Sequence, residues 1–576
     1  MSELDLVIRN GNIVDGTGAE PFTADIGVKG GKIVEVGKIA ARGREEIDAT
    51  GKLVTPGFVD IHTHYDGQAI WSERMNPSSQ HGVTTVVTGN CGVGFAPCRP
   101  EDHGLLVQVM EGVEDIPEIV MTAGLDWDWE TFPQYLDAVD KRKHDIDIAA
   151  YLPHSALRVY VMGNRGANRE DATDEDIAKM KKITREAIEA GGIGFATSRL
   201  FAHRTLAGDS IPSFDASEKE LTAISTAVGE AGKGCLQLVL GSTIEFDLQS
   251  EVKMVRRLVE KSGRPASFTM VQENARPDRW RAVMEEVNKS NEDGVPLKAQ
   301  IFPRPVGLIL GFNLSINPVS LCPSYKALEK LPVAERMKEL RKPEVREKLL
   351  HEAQDKASMP ILAMGRQFEL MYPLDPVNPN YEPEADTNFA AMAAKRNESA
   401  LEMAYDYLAE SPERMILVTL ANYPENSLDK LYEIMHNKDA VLGLGDGGAH
   451  YGMICDASYP TFVLQHWTRD RTRGKRIPLA DAVKALTSVP ARTVGFLDRG
   501  IIAPGYKADI NVIDYDNLQL ESPTVIYDLP AGGRRLMQGA KGFEVTIVNG
   551  QTTYKNGVPT GALPGKLVRG AQAAPH

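Results

Sequence analysis

Eight short apolar runs, spaced along the chain and separated by longer mixed stretches, constrain this sequence more than any other feature. They are Phe58 to Ile61, Thr84 to Thr88, Ile146 to Leu152, Gly192 to Ala196, Cys235 to Leu240, Ala266 to Val271, Leu297 to Phe302 and Ala440 to Leu444. Strands that are apolar throughout, rather than alternating, are buried on both faces, as in a parallel sheet covered by helices. The stretches Asp174 to Ala190, Ala216 to Ala231 and Leu248 to Lys261 read as helices between them. Eight strands alternating with helices is the number a closed parallel barrel needs. The expected fold class is therefore α/β, a distorted (β/α)8 TIM-like barrel.

The first run delivers a chemical signal. Phe58-Val-Asp-Ile-His-Thr-His-Tyr-Asp66 follows a Pro-Gly turn and ends with two histidines spaced i, i+2. On extended backbone His62 and His64 point to the same side and can grip one metal ion. They also stand at the C-terminal end of the strand, where barrels carry their catalytic groups. Two imidazoles on one strand face can equally be ordinary hydrogen-bonded residues, so the pair alone leaves both readings open. A second signal comes late, where Asp446 lies in the glycine cluster Gly443-Leu-Gly-Asp-Gly-Gly-Ala-His450 directly after the last apolar run. Glycines let the backbone approach closely and leave the carboxylate unshielded, although Asp-Gly is also a common turn pair.

Composition narrows the partners. Lys and Arg number 64 against 79 Asp and Glu, a net charge of -15, which disfavours nucleic acid and acidic membrane surfaces. A small-molecule substrate is expected instead. The five cysteines are few, odd in number and unclustered, which fits a reducing compartment. No basic leader precedes an apolar stretch at the start and no run of about eighteen apolar residues occurs, so a cytoplasmic location is expected.

Four stretches together carry a resemblance. Leu6-Val-Ile-Arg-Asn-Gly-Asn-Ile-Val-Asp-Gly16, Val54-Thr-Pro-Gly-Phe-Val-Asp-Ile-His-Thr-His64, Thr84-Thr-Val-Val-Thr-Gly-Asn-Cys-Gly92 and Gly445-Asp-Gly-Gly-Ala-His450 resemble the amidohydrolase superfamily. Within it, Gly89-Asn-Cys-Gly92, Val113-Glu-Asp-Ile-Pro117 and Trp127-Asp-Trp-Glu130 resemble the N-acyl-D-amino-acid deacylase branch. The resemblance spans about residues 4 to 560 and is weakest in the centre. It implies that the strand-like ends of the chain, 1–56 and 500–576, pair into one small β-sandwich beside a barrel of 57–499. The charged, proline-rich stretch at about 314–411 then reads as a helical insertion that covers the active-site mouth or forms an oligomer contact, which leaves a homo-oligomer open.

For the site, the resemblance implies that Asp446 both ligates metal and shuttles the proton, and that Cys91 is a further zinc ligand. The sequence also departs from the pattern. Ungapped alignment puts Val239 and Met270 where the branch has a histidine after strand 5 and another after strand 6, and Gln272 where it has a lysine that holds the substrate carboxylate. No lysine ends the run Gly192-Ile-Gly-Phe-Ala-Thr-Ser-Arg199, so a carboxylated-lysine bridge between two metals is not expected. His62, His64, Asp446 and Cys91 suffice for one zinc per chain with a position open for water. His154, Arg199, His203, Arg304 and His450 stand near strand ends as substrate-binding candidates. For each arginine a structural ion pair weighs equally, and His450 also suits a supporting hydrogen bond.

The expected activity is metal-dependent hydrolysis of the amide of an N-acylated amino acid or a similar small molecule, with Asp446 as base and then acid. Two alternatives stand beside it. One is an amidohydrolase acting on a cyclic amide, carbamate or ester, and the other is a non-catalytic scaffold of the same fold.

Overall fold

The computed structural model describes residues 3–241, 247–357 and 360–575, so residues 358–359 of the expected insertion lie outside it. Strands form at all eight apolar runs: β1 (Phe58–Asp60), β2 (Val83–Thr88), β3 (Asp147–Ala150, resumed after Tyr151 as Leu152–Pro153), β4 (Gly194–Ser198), β5 (Cys235–Val239), β6 (Ala266–Thr269), β7 (Leu297–Ile301) and β8 (Ala440–Leu442). Strands β1 to β3 pair in order, and the resumed part of β3 leads a second run through β4, β5, β6 and β7 to β8. Every one of these pairings is parallel. Beyond the ends of β8 and β1, the Asp446 N–H donates to the His62 carbonyl at 3.1 Å and the His64 N–H donates to the Gly447 carbonyl at 2.8 Å. Those two bonds set Asp446 beside the histidine pair. They link the last apolar run to the first.

The helices between strands begin where capping side chains allow it. Thr173 and Asp176 form a reciprocal capping box on Asp174–Glu189. Ser217 caps Glu218–Glu230, and Asp247 caps Leu248–Ser262, which ends on Gly263 in the left-handed region. Each cap satisfies backbone N–H groups that a helix start leaves without partners. Among the described residues no helix is long and apolar enough to cross a membrane.

The two chain ends share one sheet. Its strand order is Val558–Pro559, Gln551–Lys555, Phe543–Val548, Ile510–Ile513, Leu53–Pro56, Leu4–Ile13, Phe22–Lys29 and Lys32–Gly37, with Gly43–Asp48 also on Leu4–Ile13. The ends meet where Leu53 to Pro56 run antiparallel to Ile510 to Ile513. The N-terminal part is not the purely antiparallel sheet its turns suggest, because Leu4–Ile13 takes Gly43–Asp48 and Leu53–Pro56 in parallel. Sequence turns report hairpins, whereas these parallel pairings join strands distant along the chain.

The stretch 314–411 is built mainly of short helices. Short helices such as Pro323–Leu328, Val333–Leu340 and Pro343–His351 sit beside an antiparallel sheet of Val306–Leu310, Met415–Ala421 and Met371–Leu374. Two of these strands, Val306–Leu310 and Met415–Ala421, flank 314–411, and the third, Met371–Leu374, lies within it. The helices and this sheet enclose an apolar core of their own, with Leu308, Phe312, Tyr325, Leu340, Tyr405 and Ile416 buried together. The flanking strands are apolar runs that look in sequence like strands of the main sheet.

Candidate metal centre

The histidine pair lies just past β1 and both rings are buried. His62 Nε2 is 3.3 Å from Cys91 Sγ, and His64 Nε2 is 3.8 Å from the same sulfur. Asp446 Oδ1 lies 3.6 Å from each Nε2 atom. Ligand atoms of His62, His64 and Cys91 all fall within 4.8 Å of one another. Four groups from the ends of β1, β2 and β8 therefore face one point.

Local backbone strain holds two of them there. Cys91 sits at φ 55° between Gly89 and Gly92, and Asp446 at φ 46°. Left-handed backbone is uncommon for residues with a Cβ and persists where the surroundings over-determine it. A Cβ on Gly92 would come within 2.8 Å of Thr197 Cα, so the Cys91 turn packs directly on β4. A Cβ on Gly445 would lie 2.0 Å from Asp60 Oδ2, so only glycine lets the Asp446 loop close over β1.

Neighbours orient the imidazoles. His62 Nδ1 meets Gln300 Oε1 of β7 at 2.8 Å, and Gln300 donates onward to Ser267 Oγ at 2.9 Å. Because Gln300 Nε2 is used as donor, its oxygen accepts from His62 Nδ1, which leaves the Nε2 lone pair facing the cluster. Glu114 approaches His64 without a hydrogen bond, Oε1 lying 3.4 Å from Nδ1, while its Oε2 lies 3.5 Å from His450 Nε2.

The electrostatics call for a cation. Burial pushes the His62 imidazole down to about 4 and that of His64 to about 3, so both are neutral, as ligands must be. Burial, with Glu114, Asp446 and Asp66 nearby, pushes the Cys91 thiol well up, and burial with Asp446 and Asp66 does the same to Glu114. Asp60 is raised to about 8, chiefly by burial. His64 Nδ1, Glu114 Oε1, Asp60 Oδ2 and Asp446 Oδ1 are buried without hydrogen-bond partners. Buried, unpartnered carboxylate oxygens such as those of Glu114, Asp60 and Asp446 are costly unless a positive charge compensates them. Two imidazoles, a thiol and a carboxylate are a donor set suited to a divalent cation of zinc type.

The substrate-binding candidates separate into two groups. His203 and His450 line the small pocket that opens onto the cluster. His154, Arg199 and Arg304 do not. His154 is buried between Thr197 Oγ1 and Glu220 Oε1, each at 2.8 Å, and Glu220 also takes Arg158 at 2.6 Å. Arg199 meets Glu251 at 2.9 Å and the Ala216 carbonyl at 2.8 Å. Arg304 is engaged by Asp456 at 2.9 Å, Ser458 at 3.0 Å and the Cys455 carbonyl at 2.9 Å. These three serve as internal ties, because a strand end in sequence does not say which way its next side chains turn.

The histidine-for-apolar departures also resolve in space. Val239 of β5 lines the pocket, as the alignment placed it. At the end of β6 it is Thr269, and two residues on Val271, that line the pocket, while Met270 between them does not. Gln272 is turned away, donating to the Glu273 and Pro277 carbonyls. Sequence reading passed over Glu114, Gln300, Asp60 and Asp456. For Gln300 and Asp60 the signal was a polar residue inside an apolar strand, and Glu114 stood in a motif used only for its resemblance.

A parallel-stranded α/β fold with histidine, cysteine and aspartate converging at strand ends is the architecture of metal-dependent hydrolases. A model of the amidohydrolase family matches residues 45–554, and the chain belongs to that family. N-acyl-D-glutamate deacylase of Alcaligenes xylosoxydans xylosoxydans is 24% identical over 576 residues, covering 98% of this chain and 97% of that protein. D-aminoacylase of the same organism is 34% identical over 198 residues, 34% of this chain and 38% of that protein. The crystal structure of N-acyl-D-glutamate deacylase from Bordetella bronchiseptica, complexed with zinc and a phosphonate inhibitor, superposes with a TM-score of 0.65 at 24% identity, covering 99% of this chain and 100% of that one.

Proposed function

We propose that the protein hydrolyses the amide bond of an N-acylated amino acid or a similar small molecule at the pocket of His62, His64, Cys91 and Asp446. It is a hydrolase of carbon–nitrogen bonds other than peptide bonds, as its deacylase relatives are by name. The observation that carries the reading is the convergence of the three ligand atoms of His62, His64 and Cys91 within 4.8 Å, with Asp446 facing both imidazoles. One zinc-like ion per chain fits this set. When bound, such an ion polarises the scissile carbonyl and lowers the pKa of an attacking water.

The chain's own groups do the rest. Asp446 takes the proton of the attacking water and returns it to the departing nitrogen. Gln300 holds His62 in the tautomer that turns Nε2 inward, and Glu114 stands beside Nδ1 of His64. The apolar wall of Val239, Val271 and Phe302 limits competing water. Asp446 also sits at a glycine-flanked, left-handed turn, so its carboxylate position is set by backbone rather than by a flexible stem.

We read the eight parallel strands as a barrel closed through the Asp446–His62 and His64–Gly447 backbone bonds. The chain ends, 1–56 and 500–576, form the accessory β-unit, and 57–499 form the catalytic unit. Five unpaired, buried cysteines suit the reducing cytoplasm. Elemental analysis of metal-supplemented protein, together with a hydrolysis screen of N-acyl D- and L-amino acids and uncharged amides, tests the proposal. About one zinc per chain with turnover of some amide supports it. Protein that binds no metal and cleaves no amide sinks it and favours the scaffold reading.

A further inference from the structure

The pocket beside the metal ligands has no cation in its wall. Its described lining contains the carboxylates of Glu114 and Asp456 and an apolar surface that includes Leu200, Val271, Phe302 and Val306, but no lysine or arginine. The ten residues outside the described set add none, since neither residue type occurs among them. The two arginines that stand near the strand ends are committed elsewhere. Arg304 is 1% exposed and its guanidinium binds Asp456, Ser458 and the Cys455 carbonyl, with the Tyr381 ring 4.1 Å from its centre. Arg199 is held by Glu251 and the Ala216 carbonyl. His450 turns Nε2 toward Glu114, and His203 Nδ1 pairs with Ser198 Oγ at 2.8 Å.

This wall bears on what can bind. An amino-acid carboxylate entering the pocket would lose its hydration against an apolar wall, with no lysine or arginine among the described lining residues to receive it and Arg304 already paired with Asp456. A buried charge without a partner is disfavoured by several kcal/mol, whereas each Å2 of apolar surface covered gains roughly 25 cal/mol. A divalent ion at the ligand cluster does not alter the balance, because Asp446 and Cys91 oppose its charge. The cavity volume of about 180 Å3 is also small. It lies below the roughly 300 to 1,000 Å3 of ordinary ligand pockets, so one compact arm of a substrate fills it.

We infer that this pocket selects amides whose non-reacting part is compact, uncharged and apolar, and disfavours the free α-carboxylate of an N-acyl amino acid. The inference rests on the amide-hydrolase reading for the reaction, but selection itself is a property of binding. Asp456 acts as a specificity determinant: it lines the pocket and neutralises the Arg304 charge beside it.

A matched pair isolates the charge. N-(3-methylbutyl)acetamide has the skeleton of N-acetyl-leucine without its carboxylate. Zinc-loaded protein is titrated with the amide and with both enantiomers of N-acetyl-leucine by calorimetry, and kcat/KM is measured for each. The expected result is at least about tenfold tighter binding of the uncharged amide. Val306→Lys, a cation placed on the partly exposed rim, is expected to narrow that ratio about tenfold or more, and Asp456→Asn to narrow it in the same direction. Equal or tighter binding of either N-acetyl-leucine enantiomer to the unaltered protein overturns the inference, as does failure of all three ligands to bind. Binding that favours the uncharged amide while no amide is cleaved leaves the selection standing and removes the proposed reaction. Efficient cleavage of N-acetyl-leucine does the reverse.

Discussion

Replacing Asp446 by asparagine tests the proposed proton transfer with the least structural disturbance. The backbone of residue 446 is held by its N–H bond to the His62 carbonyl at 3.1 Å, which the substitution leaves in place. The side chain keeps its size, and the φ of 46° is one that asparagine tolerates better than most residues. What changes is chemistry at Oδ1, the atom 3.6 Å from both imidazole Nε2 atoms. An amide can neither accept the proton of water nor return it to an amine. A positioned acid–base group contributes about 10²- to 10⁴-fold, so the expected loss in kcat is at least about 10²-fold, or about 2.7 kcal/mol of barrier. Asparagine also removes a negative charge from the ligand set, and weaker metal binding will add to the loss. The assay therefore measures kcat across a zinc titration and the bound metal at each point, so that turnover is compared at equal occupancy. A variant that holds its metal and loses less than about tenfold in kcat refutes the role of Asp446. His203 and His450, which line the same pocket, would then be the groups to replace.

Further expectations follow from the same geometry. His62→Ala and His64→Ala should each remove the metal and the activity while far-ultraviolet circular dichroism stays native-like, because both stand past the end of β1 rather than within the sheet; normal metal content in either variant contradicts the ligand assignment. Glu114→Gln should weaken zinc affinity by about 10- to 100-fold in competition with a chelator, since it removes the carboxylate 3.4 Å from His64 Nδ1, and unchanged affinity would leave Glu114 without the orienting role. Acid should erode a tie far from the site. Burial pushes the Glu382 carboxyl up, but hydrogen bonds from His466 and Arg471 outweigh it and bring it down from 4.5 to about 2. A depressed carboxyl contributes stability above its unfolded value near 4.5 and loses it as pH falls toward about 2, on the order of 3 kcal/mol in all. The melting temperature of Glu382→Gln should therefore lie well below that of the unaltered protein at pH 7, with the gap narrowing below about pH 4.5 and closing toward pH 2, and a gap that does not change with pH contradicts the linkage.

How much of this was legible beforehand follows from the range of each signal. The parallel strands were visible because burial on both faces leaves a local mark, a short run of apolar residues between turns. Val306–Leu310 and Met415–Ala421 are just as apolar but pair antiparallel outside the main sheet, so apolarity alone does not give strand direction. His62, His64 and Asp446 were legible because their neighbours in sequence are also their structural context: a strand before the histidines and glycines around the aspartate. His154, Arg199 and Arg304 have equally suggestive positions, yet each turns into an internal tie to a side chain far along the chain: Thr197 lies 43 residues from His154, Glu251 52 from Arg199 and Asp456 152 from Arg304. No local pattern encodes those pairings.

The sequence by itself determined an α/β chain with a histidine pair directly after an apolar strand and a glycine-flanked aspartate after another. Those are properties of residue type and spacing over a few positions. Only the tertiary structure decided that Cys91 stands 3.3 Å from His62, that Glu114 and Gln300 back the two imidazoles, and that Thr269 and Val271 rather than Met270 face the pocket. The physical reason is that a site is assembled from the ends of strands brought together by sheet pairing. Which side chain turns inward there depends on strand register, on left-handed turns at Cys91 and Asp446, and on partners hundreds of residues away.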